Sequence, residues 1–131
     1  MAKRFTTPIE QRFSDLDAYG HVNSVIYYTY LETARVKLFK DFFQEMSSKG
    51  IFIVVGRSEC DYRMPILLND HIEVTVWVSR IGTTSFDLDY QVHDGEERVY
   101  ATARTTMVCF DSIKHAPVAV PEQIRALAAP C

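Results

Sequence analysis

The sequence predicts an α+β fold in which an antiparallel five-stranded sheet wraps around one long central helix. One stretch, from about residue 23 to residue 47, carries apolar side chains at the three- and four-residue spacing of a helix. Several later stretches are instead rich in β-branched and aromatic residues, alternate apolar with polar positions, and are separated by short turns. Strands joined by short turns pair antiparallel, so one sheet and one helix to lie on it are expected.

The first predicted elements are a strand and a polar turn. Residues 9–13 alternate and follow Pro8, which favours an opening strand. That strand would bring Asp15 and Asp17 to the start of the helix.

The helix is predicted to begin near Asn23 or Ser24, because these side chains accept hydrogen bonds from the unpaired N–H groups of a first helical turn. Phe39 and Phe43 widen its apolar face, so the helix is expected to be enclosed on more than one side. Gly50 suits the left-handed conformation that often ends a helix. The residues of the apolar face are Tyr27, Leu31, Ala34, Leu38, Phe42 and Met46.

The rest of the sheet is predicted after residue 50. Gly56 indicates a bulge or bend in a long strand, and Asp94 with Gly95 predicts a hairpin turn. Residues 111–120 are expected to form a loop, and residues 121–127 a short helix with proline at its first position. The predicted strands are residues 51–63, 72–80, 86–92 and 98–110.

A sheet wrapped around a buried helix is the hotdog arrangement. Five strands leave edges that must be paired or blunted, so a homodimer or homotetramer is expected. Trp77 is a large apolar residue on an otherwise polar strand face, which indicates either a partner surface or a local contact.

Length and composition limit the function. The 131 residues, 47% of them hydrophobic, fit a single domain spanning residues 1–131 with a real core. The net charge of −3 gives no reason to expect nucleic acid or an anionic membrane as a partner. The first residues do not resemble a secretory signal and no apolar run is long enough to span a bilayer, so a cytoplasmic protein is expected.

No metal or cofactor is expected. The three cysteines, Cys60, Cys109 and Cys131, show no CxxC spacing and do not predict a disulfide framework. His21 has no suitably spaced third ligand beside it that would indicate a metal site. The sequence also lacks a serine-hydrolase elbow, a P-loop and a dinucleotide-binding glycine fingerprint.

The polar turn before the helix holds the candidate catalytic residues. Asp17 is either a turn-forming aspartate or a carboxylate facing an electrophile whose oxyanion rests on the helix N-terminus. His21 would donate a hydrogen bond either to a substrate or within the loop, and Asn23 would cap the helix or contact a substrate. By residue type alone, Tyr27 and Tyr28 are core residues that could also line a cavity.

These residues also carry a family resemblance. Residues 15–24, together with Tyr27 and residues 32–35, resemble the signature of hotdog-fold acyl-CoA thioesterases of the 4-hydroxybenzoyl-CoA thioesterase-like family. Residues 61–65, followed by Asn69 and Asp70, resemble a second element of that family, and residues 117–121 resemble its closing segment. The resemblance therefore covers nearly the whole chain.

The resemblance implies roles for individual residues. Asp17 matches the catalytic aspartate, described as a nucleophile or as a general base for water, and the backbone N–H near Ser24 matches the group that polarises the thioester carbonyl. Some members have histidine where this chain has Ser24. Residues 21–23 instead resemble the His-Val-Asn form of fatty acyl thioesterases, although Tyr19 stands where the plant acyl-carrier-protein enzymes have asparagine.

The resulting hypothesis is hydrolysis of a fatty or aromatic acyl-CoA thioester to free acid and CoA. Asp17 would be the base or nucleophile, and His21 or Asn23 would orient water or the acyl group. The candidate substrate-binding residues are Tyr19, Tyr27 and Tyr28. The alternative is a non-enzymatic module that binds acyl-CoA or an acyl carrier protein. A hotdog dehydratase is a third option, but its histidine and proline-rich signature is absent.

Overall fold

The computed structural model describes residues 2–128, so Cys131 lies outside the described part of the chain. Two helices and six strands follow one another in this range, together with a short 3-10 turn at Phe13–Asp15. They are β1 (Arg4–Ile9), α1 (Ile26–Ser48), β2 (Ile51–Tyr62), β3 (Ile72–Ile81), β4 (Ser85–His93), β5 (Val99–Asp111), β6 (Ala116–Pro117) and α2 (Glu122–Ala128).

The strands form one sheet in the order β1-β3-β4-β5-β2, with every pair antiparallel and β6 added to β5. The predicted hotdog fold of the α+β class is confirmed. The sheet has six strands rather than five, because Ala116–Pro117 form a strand too short to leave an alternating pattern in the sequence.

The opening strand lies earlier in the chain than predicted. β1 ends at Ile9, which pairs with Ile72, and residues 13–15 form the 3-10 turn instead. Pro8, expected to precede the strand, lies within β1 opposite Glu73. Proline is tolerated there because β1 is an edge strand, where a missing N–H need not break a ladder.

Helix α1 begins at Ile26, slightly after the predicted start at Asn23 or Ser24. The side-chain oxygen of Asn23 accepts from the Val25 N–H at 3.1 Å, and the Asn23 carbonyl accepts from the Ile26 N–H at 2.9 Å. Asn23 therefore closes a turn ahead of the helix. At the other end, Gly50 has φ +78°, which confirms the predicted left-handed residue.

The core lies between α1 and the inner face of the sheet. Four of the six predicted face residues of α1 are buried, while Leu38 and Phe42 are half-buried. Arg35 is buried as well, and its Nη1 donates to the Tyr90 hydroxyl at 3.1 Å. The fully buried sheet residues include Val74, Val76, Val78, Phe86, Leu88 and Val92.

Strand β2 is the outer strand next to β5. The predicted bulge at Gly56 is confirmed by a register shift between Val55 and Arg57, and a Cβ at Gly56 would lie 2.9 Å from Val108 Cγ2. The residues of β2 that stay exposed despite their apolar side chains are Phe52, Val54, Val55 and Tyr62. At the opposite edge, the Arg4 guanidinium lies 3.7 Å from the Trp77 ring centroid, a local contact.

Candidate active site

A tight loop precedes α1 and is closed by backbone hydrogen bonds. Leu16 and Val22 form an antiparallel bridge, and the Asp17 N–H donates to the His21 carbonyl at 2.8 Å. The Gly20 N–H returns to the Asp17 carbonyl at 3.1 Å, and Gly20 adopts φ +76°, a conformation that favours glycine. The loop therefore holds Asp17 at a fixed position at its base.

The two carboxylate oxygens of Asp17 have different surroundings. Oδ1 accepts from the Tyr19 N–H at 2.9 Å and from the His21 N–H at 3.2 Å. Oδ2 accepts no hydrogen bond from residues 2–128. The turn-forming role suggested by the sequence is thus present, and it leaves one oxygen of Asp17 available for chemistry.

Asp17 opens onto a cavity of about 400 Å³ at the start of α1. Most of the sequence-predicted site residues meet there: Asp17, His21, Asn23, Ser24 and Tyr27 all line the wall. Tyr19 does not, because it lies at the tip of the loop with 85% of its surface exposed, and Tyr28 is half-buried against the core. The other lining residues are Val22, Tyr62, Arg63, Met64 and Pro65.

An unpaired backbone donor lies just ahead of α1, on a residue that lines this cavity. The Val25 and Ile26 N–H groups are both bonded to Asn23, whereas the Ser24 N–H has no acceptor among the described residues. The N-terminal end of a helix also carries a partial positive charge. Together these features suit an oxygen atom that gains negative charge during a reaction.

The segment after β2 forms the facing wall, and its residue types alone do not mark it as part of a site. The Arg63 and Met64 N–H groups both donate to the Tyr100 carbonyl, at 2.9 and 3.1 Å, which ties the segment to β5. The Tyr62 ring meets the Tyr27 ring edge-on, with 4.8 Å between centroids. The only sequence signal for this wall is the family resemblance of residues 61–65.

Asp15 lies only two residues from Asp17, but its hydrogen bonds indicate a structural role. It is fully buried and accepts from the Tyr30 hydroxyl at 2.7 Å and from the Arg12 N–H and Nε, both at 3.0 Å. Burial acts to raise the pKa of the Asp15 carboxyl, but these hydrogen bonds and the Arg12 charge outweigh it and hold the pKa below its ordinary value. Burial and the Asp15 charge in turn raise the pKa of Tyr30.

Replacing Asp15 with asparagine is expected to lower the free energy of unfolding by about 2 kcal/mol at neutral pH, since hydrogen bonds to a buried charged acceptor are lost. The folded-state pKa is lowered, so the stabilisation is present above the ordinary carboxyl pKa of about 3.9 and disappears as pH falls through the folded value. Urea unfolding at neutral and acidic pH measures both effects. The exposed Asp41 provides a control, and an equal loss in Asp41→Asn would contradict the assignment.

Two kinds of feature are absent from residues 2–128. No group of three histidine, cysteine, aspartate or glutamate side chains lies close enough together in that range to hold a metal ion. No helix among the same residues is long and apolar enough to cross a membrane.

Comparison with known proteins places this chain in a family. Residues 11–127 match the family model described as "Thioesterase-like superfamily". The long-chain acyl-CoA thioesterase FadM of Escherichia coli K12 is 32% identical over 122 residues, which cover 91% of this chain and 92% of FadM.

Solved structures similar to this chain also include thioesterases. A thioesterase from Thermus thermophilus, complexed with coenzyme A and Zn, superposes with a TM-score of 0.81 and 31% identity over 95% of this chain and 97% of the other. The probable thioesterase YbaW of Escherichia coli gives a TM-score of 0.81 and 29% identity, covering 94% and 93% of the two chains. The resemblance inferred from residues 15–24 and 61–65 is confirmed, and so is the class of enzyme, a thioester hydrolase. The chain therefore belongs to the thioesterase-like superfamily.

Proposed function

We propose that the protein hydrolyses an acyl-CoA thioester to a free acid and CoA, with the cavity beside Asp17 as its active site. One observation carries the proposal: a carboxylate oxygen of Asp17 without a hydrogen-bond partner among the described residues and the unpaired Ser24 N–H belong to residues lining the same cavity. The similarity to FadM, named a long-chain acyl-CoA thioesterase, and to a thioesterase complexed with coenzyme A supports CoA as the thiol.

The proposed reaction uses both groups. The thioester carbonyl oxygen accepts from the Ser24 N–H, and one well-placed donor of this kind stabilises the oxyanion by about 3 kcal/mol. Asp17 takes a proton from water as the water oxygen bonds to the carbonyl carbon, or attacks that carbon directly and is then released by water. In either case the C–S bond breaks, the acyl group gains a water oxygen, and the CoA thiolate takes up a proton.

The remaining wall residues suit a fatty or aromatic acyl group. The apolar surfaces of Val22, Tyr27 and Met64 would pack against the acyl chain. The His21 and Asn23 side chains, which line the cavity, would orient water or the thioester. Tyr19 and Tyr28, also candidates from the sequence, would touch only those parts of a substrate that extend beyond the cavity.

A second copy of the chain is proposed as the partner. Strand β2 pairs only with β5 among the described strands and exposes a row of apolar side chains, features that favour a homodimer, which could pair further into a homotetramer. The cytoplasmic location expected from the sequence stays a prediction.

The test is thiol release from a panel of butyryl-, octanoyl-, palmitoyl- and benzoyl-CoA, read with a thiol-specific chromophore. A signal from protein alone must be subtracted, because Cys60 and Cys109 are free thiols. Turnover with at least one substrate is the expected result, and the ranking gives the acyl preference. Saturable binding of these esters without release of CoA would contradict the proposal and identify a binding module instead.

A further inference from the structure

Tyr62 joins the end of β2 to the start of α1 across the active-site cavity. It is the last residue of β2, and its hydroxyl donates to the Ser24 carbonyl at 2.7 Å. Its ring packs edge-on against Tyr27, with an angle of 83° between the ring planes, and it lines the cavity. The hydroxyl therefore reaches the residue whose N–H is the proposed oxyanion donor.

This hydrogen bond takes the place of one that a helix would make. If α1 continued back through Ser24, the Ser24 carbonyl would accept from the N–H four residues later, that of Tyr28. Here the Tyr28 N–H donates to the Val25 carbonyl at 3.2 Å, and α1 begins only at Ile26. The Ser24 carbonyl thus has its partner in Tyr62, and residues 24–25 stay in a turn outside the helix.

The orientation of this turn decides where the Ser24 N–H points. Asn23 holds the turn on one side through the Val25 and Ile26 N–H groups, and Tyr62 holds it on the other through the Ser24 carbonyl. If the hydrogen bond from the Tyr62 hydroxyl is lost, the Ser24 carbonyl is free to rotate towards the Tyr28 N–H. A displacement of about 1 Å in a group that must meet the reacting atoms is enough to cost a large factor in rate.

We propose that Tyr62 is a positioning residue, whose hydroxyl fixes the Ser24 turn so that the Ser24 N–H faces the thioester carbonyl. The expected effect of Tyr62 on the rate of hydrolysis rests on the proposed function. Its structural part, that the hydroxyl keeps the turn from winding into the helix, stands independently.

The test compares Tyr62→Phe with Tyr100→Phe. Both variants keep the ring and lose one hydroxyl that donates to a backbone carbonyl, since the Tyr100 hydroxyl donates to the His71 carbonyl at 3.1 Å. Tyr100 does not line the cavity. With the acyl-CoA of the panel that wild type hydrolyses fastest, Tyr62→Phe is expected to lower kcat by about 10- to 100-fold and leave KM within about twofold. Tyr100→Phe should keep kcat within about twofold.

A second measurement does not depend on catalysis. The backbone amide resonances of Ser24 and Tyr28 should shift in Tyr62→Phe and stay in place in Tyr100→Phe. Wild-type kcat in Tyr62→Phe, a raised KM at unchanged kcat, or unmoved amide resonances would each overturn the proposal. If wild type releases no thiol from any ester, the proposed function fails, while the amide resonances still decide whether Tyr62 holds the turn.

Discussion

Asp17→Asn is expected to reduce kcat for acyl-CoA hydrolysis by about a thousandfold, because the amide can neither accept a proton from water nor attack the thioester carbon. The loop should keep its shape. The asparagine side-chain oxygen can still accept from the Tyr19 and His21 N–H groups that now bond to Oδ1. The measurements are steady-state thiol release and the thermal unfolding midpoint, and only the first should change strongly.

Asp94 supplies a matched control for this variant. Its Oδ1 accepts from the Glu96 and Arg98 N–H groups, at 2.8 and 3.1 Å, two and four residues later, the same pattern that Asp17 shows. It lies in the β4–β5 hairpin and does not line the proposed active-site cavity. Asp94→Asn should therefore keep kcat within about twofold. Near-normal turnover in Asp17→Asn, or an equal loss in both variants, would remove Asp17 from the proposed mechanism.

The similarity of Asp17 and Asp94 shows why the sequence alone left both a turn-forming and a catalytic role open for Asp17. An aspartate that closes a turn and one that performs chemistry leave the same residue type at the same kind of position, and Asp17 has the hydrogen bonds of the first role. What separates it from Asp94 is that Asp17 lines a cavity together with the start of α1 and residues 62–65, segments that are distant from it in sequence. Local pattern therefore gives two alternatives, and the three-dimensional arrangement is needed to favour the catalytic one.

Elements with strong local signals agree with their predictions. Strands β2 to β5 and α1 match their predicted ranges within a few residues, because each has a repeating apolar pattern or a glycine with a defined backbone role, as at Gly50 and Gly56. The prediction for β1 is wrong because its pattern is weak and Pro8 resembles a boundary. β6 has only two residues, and its pairing with β5 leaves no periodic trace.

Long-range polar contacts could not be predicted. Arg35 and Glu32 lie three residues apart on a helix, which favours a local pair, but Arg35 donates to Tyr90, 55 residues away. Tyr62 likewise reaches Ser24 across 38 residues. Such pairs depend on how the sheet curves over the helix, and neither residue type nor spacing carries that information.

The proposed role of the Ser24 N–H as oxyanion donor predicts a second large effect, which is specific to the backbone. Ser24→Pro removes the N–H that the thioester oxygen would accept from, and loss of one such donor is expected to reduce kcat by about 100- to 1000-fold. Ser24 lies in the turn ahead of α1, and its N–H has no acceptor within residues 2–128, so the missing proline N–H breaks no native hydrogen bond among them. Thermal unfolding and circular dichroism check that the variant folds.

Ser24→Ala distinguishes the contribution of the backbone N–H to catalysis from that of the side-chain hydroxyl. It keeps the N–H and removes only the hydroxyl, so its loss in kcat should be smaller than that of Ser24→Pro by at least about tenfold. If both variants lose activity equally, the hydroxyl rather than the N–H takes part in the reaction. If neither loses activity, the oxyanion is stabilised by another group. A large loss confined to Ser24→Pro, together with the effect of Asp17→Asn, would require that the carboxylate and the start of α1 act on the same thioester from within one cavity.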